Sequence, residues 1–317
     1  LMHNRDIHSR CDDSVARVFQ GHQILIRRSR GYAPHPIDLD FSMKQILACG
    51  PEMKNTFCLT KDNHAFISHH IGDLQNVEAY NYYVESIDHY KRLFRINPEI
   101  VAYDLHPDYL STRYALEQKC LKLVGVQHHH AHIASCMAEY GLKDKVIGIA
   151  CDGTGYGTDG AIWGFEFLIA DYKSFQRYAH LKYIPLPGGD SATREPYRMA
   201  ISYLYSAFGD DFINLDIPLL KRLDKNNVKI LKQMIEKGIN SPLTSSCGRL
   251  FDAISSIIGI CDTATYDAQP AIELEMFAST EIQESYNYEI INPKDEKPLL
   301  VDTQNMIRSI IHDINIG

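Results

Sequence analysis

The chain predicts an α/β protein of two lobes. Short apolar runs bounded by Gly and Pro alternate with stretches at helical spacing. That pattern starts twice, once near Asp38 and again near Val146. The length of 317 residues corresponds to about two domains, and with 45% hydrophobic and 23% charged residues each can bury a core. Strand-rich starts that each lead into helices predict two α/β units of similar design.

Residues 1–37 crowd Arg5, Asp6, Arg10, Asp12, Asp13, Arg17, Arg27, Arg28 and Arg30 into a stretch with little apolar content. One strand is expected at 23–27, followed by an extended linker punctuated by Gly31, Pro34 and Pro36. The segment reads as the tail of a domain whose body lies elsewhere. In the first lobe, 38–142, QILACG (45–50) and NTFCLT (55–60) form a strand pair around Gly50-Pro51, and AFISHHIG is a further strand. Val77, Tyr80, Val84, Ile87, Leu93 and Phe94 recur at helical spacing, which predicts a helix over 77–95. EIVAYDL (99–105) is a strand, Pro107 opens a helix as its first residue, LKLVGV (121–126) is a strand, and a helix then ends at Gly141. The second lobe, 143–317, begins with a buried strand VIGIAC (146–151) and a Gly-rich turn. Strands 161–170 and 177–184 follow, then helices at 195–207, 216–238, 247–259, 270–285 and 301–314.

A formal charge of −8 disfavours a general phosphate-neutralising face, so no nucleic-acid partner is expected. No apolar run approaches the roughly 18 residues of a membrane span, and the polar opening LMHNRDIHSR is not a signal peptide. No membrane partner is expected, and a cytoplasmic location is. The eight cysteines include no CxxC pair; their scatter in apolar runs predicts buried, reduced thiols and excludes a zinc ribbon or disulfide framework.

The densest chemical signal is QHHHAH at 127–132. His128 and His132, four residues apart, share one face of a helix and can grip one metal ion. His129 and His130 point elsewhere, as supporting or substrate-facing groups. A His-rich polar helix start would look the same. The HExxH glutamate is absent, because His129 follows His128, so a zincin protease is disfavoured. DGTGYGTDG (152–160) follows a strand directly. Its glycines 153, 155 and 157 would let the backbone fold tightly against phosphate oxygens, and Asp152 could bind a metal; an ordinary turn carries the same residues. Lys54, Asn55 and Thr56 place a cation, an amide and a hydroxyl at a turn tip, a mix suited to phosphate or to a solvated hairpin end. Arg194, Glu195 and Arg198 lie just inside a helix after Gly188-Gly189, as anion holders or as plain helix charges. In CGRLFDAISSIIGI (247–260), Leu250, Ala253, Ile254, Ile257 and Ile258 make the buried face and Asp252 falls off it. Asp252 and Glu273 sit early in helices and could bind ribose hydroxyls or act as caps.

QHHHAHIAS, DGTGYGTDGAIWG, PLPGGDSATREPYRMA and SCGRLFDA with QPAIELE, in that order, resemble the HypF carbamoyltransferase family of nickel–iron hydrogenase maturation. MHNRDIHSRCDDSVAR and IRRSRGYAP resemble the end of that family's YrdC-like domain, and ILACGPEMKNTFCLT with FISHHIGDLQN the start of its TsaD-like domain. The resemblance implies an ASKHA-type fold, two RNase-H-like lobes with a nucleotide cleft. It implies carbamoyl transfer from carbamoyl phosphate and ATP, through a carbamoyl-adenylate, to the C-terminal cysteine of HypE. By position it assigns His128, His132 and Asp152 as metal ligands and catalytic residues, with iron or zinc both open. It lays Cys151, Asp152, Gly153, Thr154 and Gly155 along the adenylate, and places Asp252, Gln269 and Glu273 at the ribose, where TsaD has glycine at the position of Gln269. The family's closing GGGVxxN and NDGG-like segments are absent, so the second lobe is expected to be incomplete, its metal site open and the chain inactive alone. The alternatives are an O-carbamoyltransferase acting on a small hydroxyl, a non-catalytic nucleotide-binding scaffold, and a metal-dependent hydrolase, which the missing glutamate weakens.

Overall fold

Gln20 and Gly21 both take positive φ, 48° and 80°, the pair of conformations a two-residue hairpin turn requires. They join β1 (Val15–Phe19) to its antiparallel partner β2 (His22–Arg27) in a computed structural model that describes residues 4, 10–279, 281–293 and 298–316. Residues 1–3 and 5–9 of the expected tail lie outside the described residues. The strand expected at 23–27 therefore has a partner that the polar sequence did not advertise. The linker is turned rather than extended. The Arg28 guanidinium donates to the carbonyls of Tyr32 (3.0 Å), His35 (2.7 Å) and Ile67 (3.2 Å), folding it back.

Backbone contacts divide the chain into two compact units, residues 1–128 with 135–143, and residues 129–134 with 144–317. The first holds β3 (Ile37–Met43), β4 (Ile46–Ala48), β5 (Cys58–Ile67), α1 (Val77–Phe94), β6 (Ile100–Asp104), α2 (Leu110–Glu117) and β7 (Lys122–Val126), and shares α3 (His128–Glu139) with the second. Among the described residues its sheet runs β3-β5-β4-β6-β7. β4 pairs antiparallel with β5 and parallel with β6, so it is flanked on both sides. The two strands expected around residue 60 are one strand, β5. Leu47, Phe57, Leu59, Tyr83, Ile87, Tyr90 and Val101 form the core between sheet and helices. Asn76 caps α1 by accepting from the Ala79 amide at 2.7 Å, and Arg95 ends it in the left-handed conformation. α2 starts at Leu110 and not at Pro107, because the Glu52 carboxylate accepts the Leu110 amide at 2.7 Å and sets the helix start there.

The second unit holds β8 (Val146–Tyr156), β9 (Ile162–Ala170), β10 (Phe175–Leu181), β11 (Ile184–Pro185), α4 (Ser191–Arg194), α5 (Tyr197–Phe208), α6 (Pro218–Arg222), α7 (Lys225–Lys237), β12 (Leu243–Thr244), α8 (Cys247–Ile257), α9 (Gln269–Phe277), β13 (Glu289–Ile291), β14 (Leu299–Asp302) and α10 (Gln304–Ile316). Among the described residues the strand order is β11-β12-β9-β10-β14-β13, with β8 on β9. The fold is thus mixed α/β. Met199, Leu204, Ala253, Ile257, Ile307 and Ile311 pack α5, α8 and α10 into one core. The expected helix 216–238 is broken where Asp224 accepts the Asn226 and Asn227 amides and caps a new helix, α7. The helix expected over 270–285 ends at Phe277, and 301–314 begins as strand β14, with Asp302 accepting the Gln304 amide at 2.9 Å at the start of α10.

The strand VIGIAC is not buried. Ile147 and Ile149 are 75% and 57% exposed, and among the described residues β8 pairs on one side only, with β9. Cys120, Cys136 and Cys151 are exposed while Cys49, Cys247 and Cys261 are buried, so burial of the thiols holds for part of the set. No described helix is long and apolar enough to cross a membrane.

Candidate metal centre

The site begins at the ends of two parallel strands. The β6–β7 register sets Asp104 opposite Val126, and two residues later His128 opens α3. Carboxyl ends of neighbouring parallel strands are where α/β folds gather functional groups. Asp104 Oδ2 there lies 2.6 Å from His128 Nδ1. Its other oxygen accepts the His106 amide at 2.9 Å, and its carbonyl accepts the Thr112 hydroxyl at 2.9 Å. The sequence marks Asp104 by one local signal, a carboxylate closing a strand.

One helical turn on, α3 carries His132. Ile133 seats against β8 at Gly148, where a Cβ would lie 2.3 Å from the Ile133 Cδ1. The missing side chain is what lets helix and strand approach. Asp152, further along β8, then places Oδ2 at 3.6 Å from His132 Nε2 and 3.7 Å from His129 Nε2. Asp152 Oδ1 accepts the Gly153 amide at 2.6 Å. His128, His132 and Asp152 each offer one ligand atom, all within 4.8 Å of one another. Bonds of roughly 2.1 Å put two tetrahedral ligands about 3.4 Å apart. That spacing is the one at which the three groups can gather round one divalent ion; two imidazoles and a carboxylate suit zinc or iron, and three such ligands would leave a position for substrate.

His129 is not substrate-facing. It is fully buried, its ring 6.1 Å from that of Trp163, and it points Nε2 at Asp152. His130 is used structurally, Nε2 lying 2.7 Å from the Asp171 carbonyl and the ring 5.1 Å from Phe175.

The glycine-rich stretch is not the tight turn expected. β8 stays extended to Tyr156, with an irregularity between Cys151 and Gly155, because pairing with β9 continues through Gly155–Trp163 and Tyr156–Ile162. Glycines 153, 155 and 157 avoid positive φ; the turn falls at Gly160, φ 80°. Nothing lies within 4 Å of where a Cβ on Gly153 would stand, so one side of that backbone is open. Its carbonyl accepts the Ser246 hydroxyl at 2.6 Å, while Ser246 Oγ accepts the Arg249 amide at 3.0 Å and caps α8. Ser246 was missed, although a serine before an apolar-periodic run is a cap signal. Asp159 holds the following turn. Burial opposes its ionisation, but hydrogen bonds from Tyr183, Trp163 and the Ala161 amide, with Arg177 nearby, keep its carboxyl below the usual range.

The other expected residues divide. Asn55 is fully buried, and its amide donates to the carbonyls of Cys49 and Pro51, so it clamps its own turn instead of presenting an amide at the tip. The Lys54 amide donates to Asp73 at 2.7 Å, and Thr56 is half-buried. Arg198 Nε lies 2.5 Å from Glu195 Oε2, an ion pair within the helix start. Asp252 does not fall off the buried face: it is 1% exposed, 2.7 Å from Arg249 Nε, and burial pushes its carboxyl up to about 6 despite that partner. Ile258 is the exposed member instead. Gln269 donates to Glu273 at 2.8 Å and accepts from the Thr265 amide at 2.7 Å.

Family comparisons agree with the order of these elements. A family model described as carbamoyltransferase, Kae1-like domain, second subdomain, matches residues 148–317, and one described as HypF Kae1-like domain matches 42–139. The carbamoyltransferase HypF of Synechocystis is 41% identical over 98% of this chain and 42% of its own length. HypF2 of Cupriavidus necator is 43% identical over 88% of this chain and 35% of its own. A crystal structure of full-length HypF in a phosphate- and nucleotide-bound form matches with TM-score 0.92 and 48% identity, over all of this chain and 49% of that one. HypF of T. kodakarensis matches with TM-score 0.88 and 36% identity, over 42% of its chain. The chain thus spans less than half the length of these relatives, and it belongs to the HypF carbamoyltransferase family.

Proposed function

We propose that this chain carries the transfer centre of a carbamoyltransferase that moves a carbamoyl group from carbamoyl-adenylate to the C-terminal cysteine thiol of HypE. Carbamoyl phosphate and ATP supply the adenylate, and the product serves cyanide-ligand synthesis in nickel–iron hydrogenase maturation, in the cytoplasm. The observation that carries the reading is the His128–His132–Asp152 group, found in a chain whose solved relative binds phosphate and nucleotide.

His128, His132 and Asp152 would hold the divalent ion, iron or zinc, which supplies Lewis-acid polarisation of a carbonyl oxygen. Cys151 to Gly155 run along the adenylate, on the open side of Gly153. Asp252, Gln269 and Glu273 serve the ribose hydroxyls; the hydrogen bond between Gln269 and Glu273 supports those two acting together. Lys54 and Thr56 serve phosphate from a turn that Asn55 holds in shape. The acceptor's thiolate sulfur bonds to the carbamoyl carbon, and the carbon–oxygen bond to AMP breaks with its electron pair leaving on the phosphate oxygen. No nucleophile is needed from this chain. In this reading residues 1–37 end a YrdC-like domain, and 38–142 and 143–317 are the two RNase-H-like lobes of an ASKHA fold.

The test uses the protein with its upstream domains, carbamoyl phosphate, ATP, and either a HypE C-terminal peptide or a sugar hydroxyl as acceptor. Mass spectrometry is expected to find a thiocarbamate on the peptide cysteine, lost in the His128→Ala, His132→Ala variant. A carbamoylated sugar beside an unmodified peptide would replace this reading with O-carbamoyl transfer. Nucleotide binding without either product would favour a scaffold.

A further inference from the structure

We infer that Asp104 is a positioning residue of the metal centre, fixing the ring of His128 so that Nε2 is its ligand atom. This rests on the reading of His128 as a metal ligand. An imidazole whose Nδ1–H donates to a carboxylate keeps its lone pair on Nε2, in one tautomer and one orientation. The 2.6 Å contact between Asp104 Oδ2 and His128 Nδ1 is of that kind, and both side chains are nearly buried, 7% and 11% exposed.

Asp104 is itself held. The β6–β7 register brings it beside the start of α3. Its second oxygen is tied to the His106 amide and its carbonyl to the Thr112 hydroxyl. The His106 ring stacks on Tyr109 at 4.1 Å with 6° between planes, which steadies the turn carrying that amide. Each of these contacts lies within the first unit, on elements whose strands and helix are packed into its core. A carboxylate so constrained has one task left to its Oδ2, the imidazole.

Zinc affinity of the chain, measured by competition with a chromophoric chelator, tests this together with nitrogen-15 NMR of the histidine rings in metal-free protein. Asp104→Ala is expected to weaken zinc binding roughly 10- to 100-fold and to shift His128 out of the Nδ1–H tautomer, with Asp104→Asn intermediate. Should the alanine variant fail to fold, the asparagine variant carries the test. Asn76→Ala, which weakens the same unit at a helix cap, is expected to change neither readout, separating positioning from general loss of stability. Wild-type affinity and tautomer in the Asp104 variants, with zinc binding lost in His128→Ala, would overturn the role of Asp104 alone. Zinc binding by His128→Ala equal to wild type would overturn the metal-centre reading, and this inference with it.

Discussion

Two aspartate–histidine pairs, one in each unit, join the same residue types and differ in geometry. Asp104 and His128 touch at 2.6 Å, with both side chains nearly buried. Asp152 and His132 stand 3.6 Å apart, with side chains 26% and 56% exposed. A charge-assisted hydrogen bond is short; two ligands of one tetrahedral ion would stand about 3.4 Å apart. The first carboxylate touches its ring, and the second stands off from one. The difference follows from how each is delivered: Asp104 by the register of two parallel strands, Asp152 by a strand that Gly148 lets lie close under a helix.

Loss of both rings has the greatest consequence. His128→Ala with His132→Ala removes a ring from each pair, and zinc binding by calorimetry should vanish; retained binding would mean that neither pair serves a metal. A smaller effect should fall on one pair only. Gly148→Ala pushes a Cβ into Ile133, with its Cδ1, Cγ1 and Cγ2 all within 2.8 Å, and should cost roughly 1–3 kcal/mol in urea unfolding. Zinc affinity should fall with it, while the His128 ring signals stay at the Asp104-bound position. A buried carboxylate of the second unit is open to a pH test. Asp252 is pushed up to about 6, so the folded state takes up a proton where the unfolded chain has already lost it. Wild type should therefore gain roughly 1 kcal/mol over Asp252→Asn as pH falls from about 7 to about 5, and lose it as pH rises again. Parallel pH profiles of the two proteins would remove that assignment. The smallest effect is Asn76→Ala. Loss of the hydrogen bond to the Ala79 amide should lower stability by about 1 kcal/mol, with zinc affinity unchanged.

The parts legible in the sequence were the local ones. The four-residue spacing of His128 and His132 is a property of any helix, and α3 does begin at His128. Asp152 was visible because it follows an apolar strand. Asp104 was not, since it lies 24 residues before its histidine and meets it only through strand register. Asp252 was misread because a polar residue on an amphipathic helix is normally solvent-facing; here Arg249, three residues earlier, makes burial tolerable. The apolar run of β8 suggested a strand covered on both faces, but periodicity cannot say how many neighbours a strand has. The glycines of 152–160 suggested a tight turn, whereas β9 holds the first half extended. In each case the missing term was tertiary.

X-ray absorption at the zinc edge of the zinc-loaded chain reads the ligands themselves. Two imidazole nitrogens and a carboxylate oxygen are expected at roughly 2.0–2.2 Å, with one imidazole lost in His132→Ala. A shell of oxygens alone, or one unaltered by that substitution, would contradict the metal-centre reading.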